Sequence, residues 1–376
     1  MTTRFAFKLV PASSLTDNLP DDMLLEIFHR SDVALVASIC QRWRFLALSC
    51  SELWNSIQIN PLSASSIALG KLHSERSRGC PVNVAFVLSG DGAKKLVTFR
   101  LYSNLRNAID LLMSDVHRIQ RFVVDNGLVG SIFSQLPEIS YHFPLLRSLT
   151  IQYRNGMGVT SILPSNVMVP ALKELHISNF PWFKANAFQT DPFLYSSISD
   201  LRLSLCSVRS AMVLLVHLNR VEILQLTDIY ELDPVFRIDA ESMDWGMTGL
   251  QDGVLYYPSL RSLTIKVDRP IVRLLFQHTQ FPKINYLRIE KMAAQFMEES
   301  TIELWRPTLR NVTTLDVSEL EIFSELFSGF ESVKVVRLLR CGTLSWAEHN
   351  IQMLVKYFPK SVDIFQLEDE VLWERA

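Results

Sequence analysis

A six-residue pattern, apolar-x-x-apolar-x-apolar, recurs along most of the chain. It occupies Ile119–Val124, Leu146–Ile151, Leu172–Ile177, Ile198–Leu203 and Val221–Leu226, then Leu260–Ile265, Ile284–Ile289, Val312–Val317, Val333–Leu338 and Val362–Leu367. The middle apolar residues, from Phe122 to Phe365, lie 27, 26, 26, 23, 39, 24, 28, 21 and 29 residues apart. Self-similarity at this period predicts one strand per unit, with units stacking into a solenoid. Two earlier copies, Trp54–Ile59 and Val82–Leu88, extend the array toward the N-terminus. The 39-residue interval predicts an insertion at about 228–257.

The phase also fixes the faces. In a strand, successive side chains alternate between faces, so the pattern positions point inward and the residues between them point out. The outward set includes Glu174, His176, Arg202, Gln225, Lys266, Tyr286, Arg288, Glu290, Asp316 and Arg337. Mixed charge with an aromatic suits a protein or peptide ligand better than a polyanion. Between the strands, helices are predicted over 65–76, 94–116, 209–218, 271–278 and 347–357. Aromatic-Pro pairs (Phe143-Pro144, Tyr257-Pro258, Phe281-Pro282, Phe358-Pro359) suit a turn that launches a strand.

The first sixty residues follow a different rhythm. Pro20 suits a first helical position, and Asp21, Asp22 and Glu26 put negative charge near a helix N-terminus. Leu24, Leu25, Ile27 and Phe28 then wrap most of a short helix. A second apolar run holds Val33, Val36, Ala37, Ile39 and Cys40, followed by Trp43, Leu46 and Leu48, and the segment closes on Leu53-Trp54. Helices this short in so small a module need a partner to complete their core.

In order and spacing, LPDDMLLEIF, ICQRWRFLALS and ELW resemble the F-box, whose pattern is LP-x-E/D-x-L-x-x-I-F, a VC-x-x-W-R block and a final LW. That family binds a Skp-type adaptor and, through it, a cullin-RING ubiquitin ligase. The resemblance implies that Leu19, Pro20, Leu24, Leu25, Ile27 and Phe28 lie against the adaptor. It also implies that Val36, Cys40, Trp43 and Trp54 partly anchor the helices and partly contact the adaptor. One departure concerns the eleven residues between Phe28 and Cys40, fewer than the family usually has, with His29-Arg30-Ser31-Asp32 in place of Leu-Asp-Pro. The array is similar to the divergent leucine-rich-repeat solenoids attached to F-boxes in fungal proteins, to which Ser74–Leu88 (SERSRGCPVNVAFVL) adds a local likeness. The asparagine ladder usual in such repeats is missing from most copies.

The expected organisation is therefore a leader (1–14), an F-box (15–60) and an α/β solenoid of parallel strands in a leucine-rich-repeat horseshoe (61–376). Composition agrees with a large packed core, at 48% hydrophobic and 20% charged residues. A net charge of −2 argues against nucleic-acid binding by phosphate neutralisation. The longest uncharged apolar run, Ala211–Leu218, is far too short to span a membrane. Five scattered cysteines without a CxxC pair suggest a reducing compartment, cytoplasmic or nuclear.

Catalytic motifs are not evident. The eight histidines stand singly, without HxH or HExxH spacing, so no metal site is expected. Gly90-Asp91-Gly92-Ala93-Lys94-Lys95 lacks P-loop spacing, no GxSxG occurs, and Glu368-Asp369-Glu370 reads as a solvated end. The expectation is a substrate-receptor subunit without cofactor or catalysis. The rival readings are a scaffold outside any ligase and an unrecognised hydrolase or transferase.

Overall fold

The computed structural model describes residues 19–61, 63–87, 99–125, 141–152, 167–179, 197–218, 220–230, 255–267, 279–290, 299–318, 330–339, 362–367 and 370–374. The expected leader, the helices over 271–278 and 347–357, and most of the insertion lie outside these residues.

Three short helices open the chain: α1 (Asp21–His29), α2 (Val33–Ile39) and α3 (Gln41–Ser49). Asp32 starts α2 by accepting from the N–H groups of Ala34 (2.8 Å) and Leu35 (3.3 Å), which satisfies donors the helix leaves unpaired. Arg42 clamps α3 to the start of α1 through Asp21 Oδ1 (2.5 Å) and the Leu19 carbonyl (2.6 Å). Leu24, Phe28, Val33, Val36, Leu46, Ala47, Leu53 and Trp54 form a core of their own. Trp54 ends a 3-10 turn (Ser51–Trp54) and donates through Nε1 to the Ala47 carbonyl at 2.7 Å.

The chain then enters a sheet two residues later. Twelve of its strands pair in parallel, in sequence order, among the described residues: β1 (Ser56–Ile59), β2 (Val82–Phe86), β3 (Ile119–Asp125), β5 (Ser148–Gln152), β7 (Glu174–Ser178), β8 (Asp200–Ser204), β9 (Ile223–Ile229), β11 (Ser262–Val267), β13 (Tyr286–Glu290), β14 (Thr314–Ser318), β15 (Val335–Leu339) and β16 (Ile364–Leu367). Behind the sheet lie α4 (Ala64–Arg76), α5 (Phe99–Asp115), α6 (Val208–His217) and α7 (Glu299–Leu309). Two small ladders accompany them: β4 (Tyr141–His142) with β6 (Val167–Met168), and β10 (Leu255–Tyr256) with β12 (Thr279–Gln280). Since β1 lies inside the span expected for the helical module, the two units share residues 56–59.

The register turns the repeating pattern into continuous rows. Ile57, Val84, Phe122, Leu149, Leu175, Leu201, Leu224, Leu263, Leu287, Leu315 and Val336 face one another across neighbouring strands, and all are buried. Each fully buried Leu or Ile in such a row contributes about 1.5–3 kcal/mol. A strand buried on one face and open on the other has its register strongly specified, because a slip of one residue would turn the whole row to solvent.

Backbone carbonyls at the strand starts tie each repeat to the next. The carbonyl of Arg147 accepts from the N–H groups of both Lys173 and Glu174 (2.9 Å each). Lys173, Ser199, Glu222, Arg261, Asn285, Thr313 and Lys334 repeat this arrangement toward the next repeat. One two-lone-pair acceptor per repeat satisfies two donors, so no side chain is needed there. The aromatic of the aromatic-Pro turn is buried in Phe143, Tyr257 and Phe281, while Phe358 lies outside the described residues.

The two ends of the sheet are closed differently. At the N-terminal edge, Ser56 points its carbonyl away from β2, where His73 Nδ1 of α4 donates to it at 2.9 Å. At the other edge β17 (Glu370–Glu374) pairs antiparallel with β16. Of the acidic run Glu368-Asp369-Glu370, Glu370 begins this strand, and the other two lie outside the described residues. The helix expected over 94–116 is described from Phe99, and α7 was not expected at all, although its Trp305 is fully buried.

Three successive repeats carry a left-handed residue at or near the strand end: Asn179 (φ 53°) and Leu205 (φ 52°) directly after β7 and β8, and Asp228 (φ 50°) within β9. Asn and Asp tolerate this conformation, but leucine does not. Leu205 is also 48% exposed, so little packing offsets the strain. Leu205→Gly is expected to stabilise the fold by about 1 kcal/mol, read as a raised melting temperature. An unchanged or lowered midpoint would show that the side chain contributes more than the strain costs.

Candidate functional site

Two surfaces stand out from residues upward. The first is the outside of the helical module. Leu24, Phe28, Val36 and Trp54 are buried between its helices and hold the module together: for Val36 and Trp54 this is the anchoring part of their expected role, and Leu24 and Phe28, expected against a partner, face inward instead. Trp43 is half-buried against Phe28, with ring centroids 5.0 Å apart, and Leu19 and Leu25 pack partly against the same core. Cys40 is exposed, and its sulfur accepts from the Trp43 N–H (3.5 Å) as the cap of α3. Among the expected contacts, Pro20, Ile27 and Cys40 are the exposed ones.

Sequence reading missed the larger apolar exposures. Met23 is 52% exposed, Leu35 65%, Ile39 56% and Phe45 71%, beside Ile27 at 42%. Met23 and Ile27 are one turn apart on α1, and Leu35 and Ile39 one turn apart on α2, so each pair shares a helix face. That spacing was the available signal; apolar residues all round a short helix obscured which face lay inward. A concentration of large exposed apolar side chains on so small a unit marks an interaction surface.

The short connection between α1 and α2 borders a cleft of about 480 Å³ facing β1 and α4. His29, Arg30, Asp32, Glu52, Gln58 and His73 contribute to its walls. Burial holds the His73 imidazole below its ordinary pKa, against the Ser56 carbonyl, which raises it. Its ring stands edge-on to Trp54 at 4.9 Å, and the Arg76 guanidinium lies over the Trp54 ring at 4.3 Å. The joint between module and sheet is therefore packed, not a free linker.

The second surface is the outward face of the sheet. The register brings His176, Arg202, Gln225, Thr264, Arg288, Asp316 and Arg337 into one row across adjacent strands. Glu174 and Tyr286 lie in the row on one side of it, and Lys266 in the row on the other. Glu290 follows Arg288 by two positions on β13, so all ten expected residues share a face, but they are not equivalent. Asp316 is 3% exposed, and its Oδ2 accepts from the Tyr286 hydroxyl at 2.6 Å. Burial, helped by that carboxylate, pushes the Tyr286 hydroxyl up to about 12. Asp316 Oδ1 has no hydrogen bond, and Arg337 Nη1 stands 3.7 Å away.

Arg288 Nε lies 2.5 Å from Glu290 Oε1 at an angle that makes no hydrogen bond. Arg202 grips Asp200 through Nε (3.1 Å) and Nη2 (2.8 Å). Lys266 Nζ is 3.4 Å from Asp228 Oδ1. His176 is held below its ordinary pKa first by burial and then by the Arg202 charge, so it is neutral at physiological pH.

Comparison with known proteins supplies one family match: residues 16–60 fit the F-box-like family model. A search of curated proteins found no match. Among solved structures, 19 chains match. One belongs to the complex of Rad7 and Elc1 in yeast, at 13% identity over 93% of this chain and 88% of that chain, with a TM-score of 0.40. Another is a Bacteroides fragilis protein, at 11% identity over 82% of this chain and 83% of that chain, with a TM-score of 0.31. Likenesses this distant add nothing to the fold, which the strand pairing itself establishes.

Proposed function

We propose, from the premise that residues 16–60 are an F-box-like domain, that this chain is a receptor subunit of a cullin-RING ubiquitin ligase. The domain docks on a Skp-type adaptor, and the sheet holds a protein substrate. The observation that supports this reading is the family match on a module whose own core leaves Met23, Ile27, Leu35, Ile39 and Phe45 in solvent. Docking would remove that apolar area from water, the main favourable contribution to such association.

In this reading the chain catalyses nothing and uses no cofactor. It raises the effective concentration of a substrate lysine near the ubiquitin donor, an advantage that depends on geometry and not on new contacts. Its place of work is the cytoplasm or nucleus.

The test is capture of a purified Skp-type adaptor by the full chain and by the Ile27→Asp/Leu35→Asp double variant. Both positions are exposed, so the variant should keep its circular dichroism and melting temperature. Capture is expected to weaken at least about a hundredfold, since each lost apolar anchor costs more than 1 kcal/mol and each gained charge must be desolvated. Unchanged capture by the folded variant would dismiss this docking surface. Cullin arriving with the adaptor supports the ligase reading; adaptor without cullin supports a scaffold outside it.

A further inference from the structure

From β8 to β15 the cations on the outward face of the sheet are paired within the chain. Arg202, Arg288, Arg337 and Lys266 each stand beside a carboxylate of this chain: Asp200, Glu290, Asp316 and Asp228. Recognition of a phosphate or a carboxylate by arginine uses the open fork of the guanidinium. Here Arg202 gives one bidentate edge, Nε and Nη2, to the two oxygens of Asp200. Arg337 is turned between Gln366 Oε1 (3.1 Å from its Nε) and Asp316. An incoming anion would have to displace these carboxylates or sit among them, and either course opposes binding.

The same face carries an apolar contact. Ile223, Ser262 and Tyr286 occupy one register position on β9, β11 and β13. Ile223 is 43% exposed, and Tyr286 is half-buried with its hydroxyl tied to Asp316. Between them Ser262 is short, which leaves a notch between two larger side chains whose strands stand two spacings, roughly 10 Å, apart. The uncharged Gln225 and Thr264 stand beside it in the next outward row.

We propose that this face takes an uncharged, extended stretch of a protein partner, seated by one apolar side chain between Ile223 and Tyr286, and that it does not read phosphate. The proposal rests on the receptor reading only in taking a protein as the ligand. The balanced charges select the occupant, and the notch supplies its anchor.

The probes are two peptide libraries of identical sequences, one carrying serine and the other phosphoserine, screened against the full chain. Enrichment is expected from the serine library, in peptides sharing an apolar residue. Their affinity should change less than about twofold between low and physiological salt, because few charges are neutralised on binding. Ile223→Ser, which removes the anchor's contact, and Ser262→Phe, which fills the notch, should each weaken them at least about tenfold with melting unchanged. Enrichment confined to phosphoserine peptides would overturn the proposal. So would enrichment in neither library, or serine-peptide binding that survives both substitutions in folded protein. Adaptor capture is measured on the same preparations. Lost peptide binding with capture intact in the unsubstituted chain refutes this inference alone, and lost capture with peptide binding intact refutes only the docking reading.

Discussion

Replacing Arg118 with methionine is expected to cost about 3–5 kcal/mol of stability, the usual penalty for leaving the partner of a buried ion pair uncompensated. The Arg118 side chain is 7% exposed and that of Asp115 is 9%. Nε donates to Asp115 Oδ1 (2.9 Å), Nη1 to Ser77 Oγ (2.6 Å) and the Cys80 carbonyl (3.0 Å), and Nη2 to the Ser74 carbonyl (2.9 Å) and Oγ (3.1 Å). One guanidinium thus ties the end of α4 and the turn before β2 to the end of α5. Methionine keeps much of the volume but strands the Asp115 carboxylate and several acceptors away from water. Chemical denaturation should show the full loss in Arg118→Met and recovery of most of it in Arg118→Met/Asp115→Leu, where no charge remains buried. A single variant costing under about 1 kcal/mol would mean that water satisfies the site instead.

Trp54→Ala should have an effect of similar size, about 3–5 kcal/mol for a large aromatic removed from a core, but a different signature. Trp54 is fully buried in the helical module, yet it touches His73 and Arg76 of α4. The module and the solenoid have separate cores, so this seam couples two units that each pack on their own. Losing it should split thermal unfolding into two transitions, the first belonging to the helices, and adaptor capture should fall with that first transition. Trp54→Phe, which keeps a ring against His73 but drops the bond to the Ala47 carbonyl, should lose less. A single unchanged transition in Trp54→Ala would show that the units are coupled elsewhere.

Much of the sheet was legible in the sequence because its rows depend on local periodicity. Phe122, Leu149, Leu175 and Leu201 repeat at nearly constant intervals, and parallel pairing turns that interval directly into neighbours. The outward residues followed from the same alternation. What escaped was whatever depends on pairs distant in sequence. Arg118, in a stretch reading RIQRF, looks like an ordinary residue ahead of a strand; its partners Ser74 and Ser77 lie 44 and 41 positions away. Tyr286 and Asp316 likewise meet from 30 positions apart. Trp305 sat in a run without the strand pattern, and its helix was missed. In the first module, Leu24 and Phe28 were separated from Met23 and Ile27 only by the burial that folding imposes. A motif records that these residues recur together, not which of them a partner touches.

The in-order sheet also makes the molecule a ruler. Because each strand adds a fixed step, the distance from the helical module to any point on the outward face is set by counting strands. The notch beside Ile223 begins six steps from β1, about 29 Å along the sheet. The packed joint at Trp54 fixes the zero of that scale. Deleting one whole repeat between β3 and β9 should leave both surfaces intact, yet move whatever the notch holds about 5 Å closer to the module. Under the proposed receptor role, ubiquitin would then reach a different set of lysines on the same bound partner, which would make the length of the array, and not only its chemistry, part of what this chain specifies.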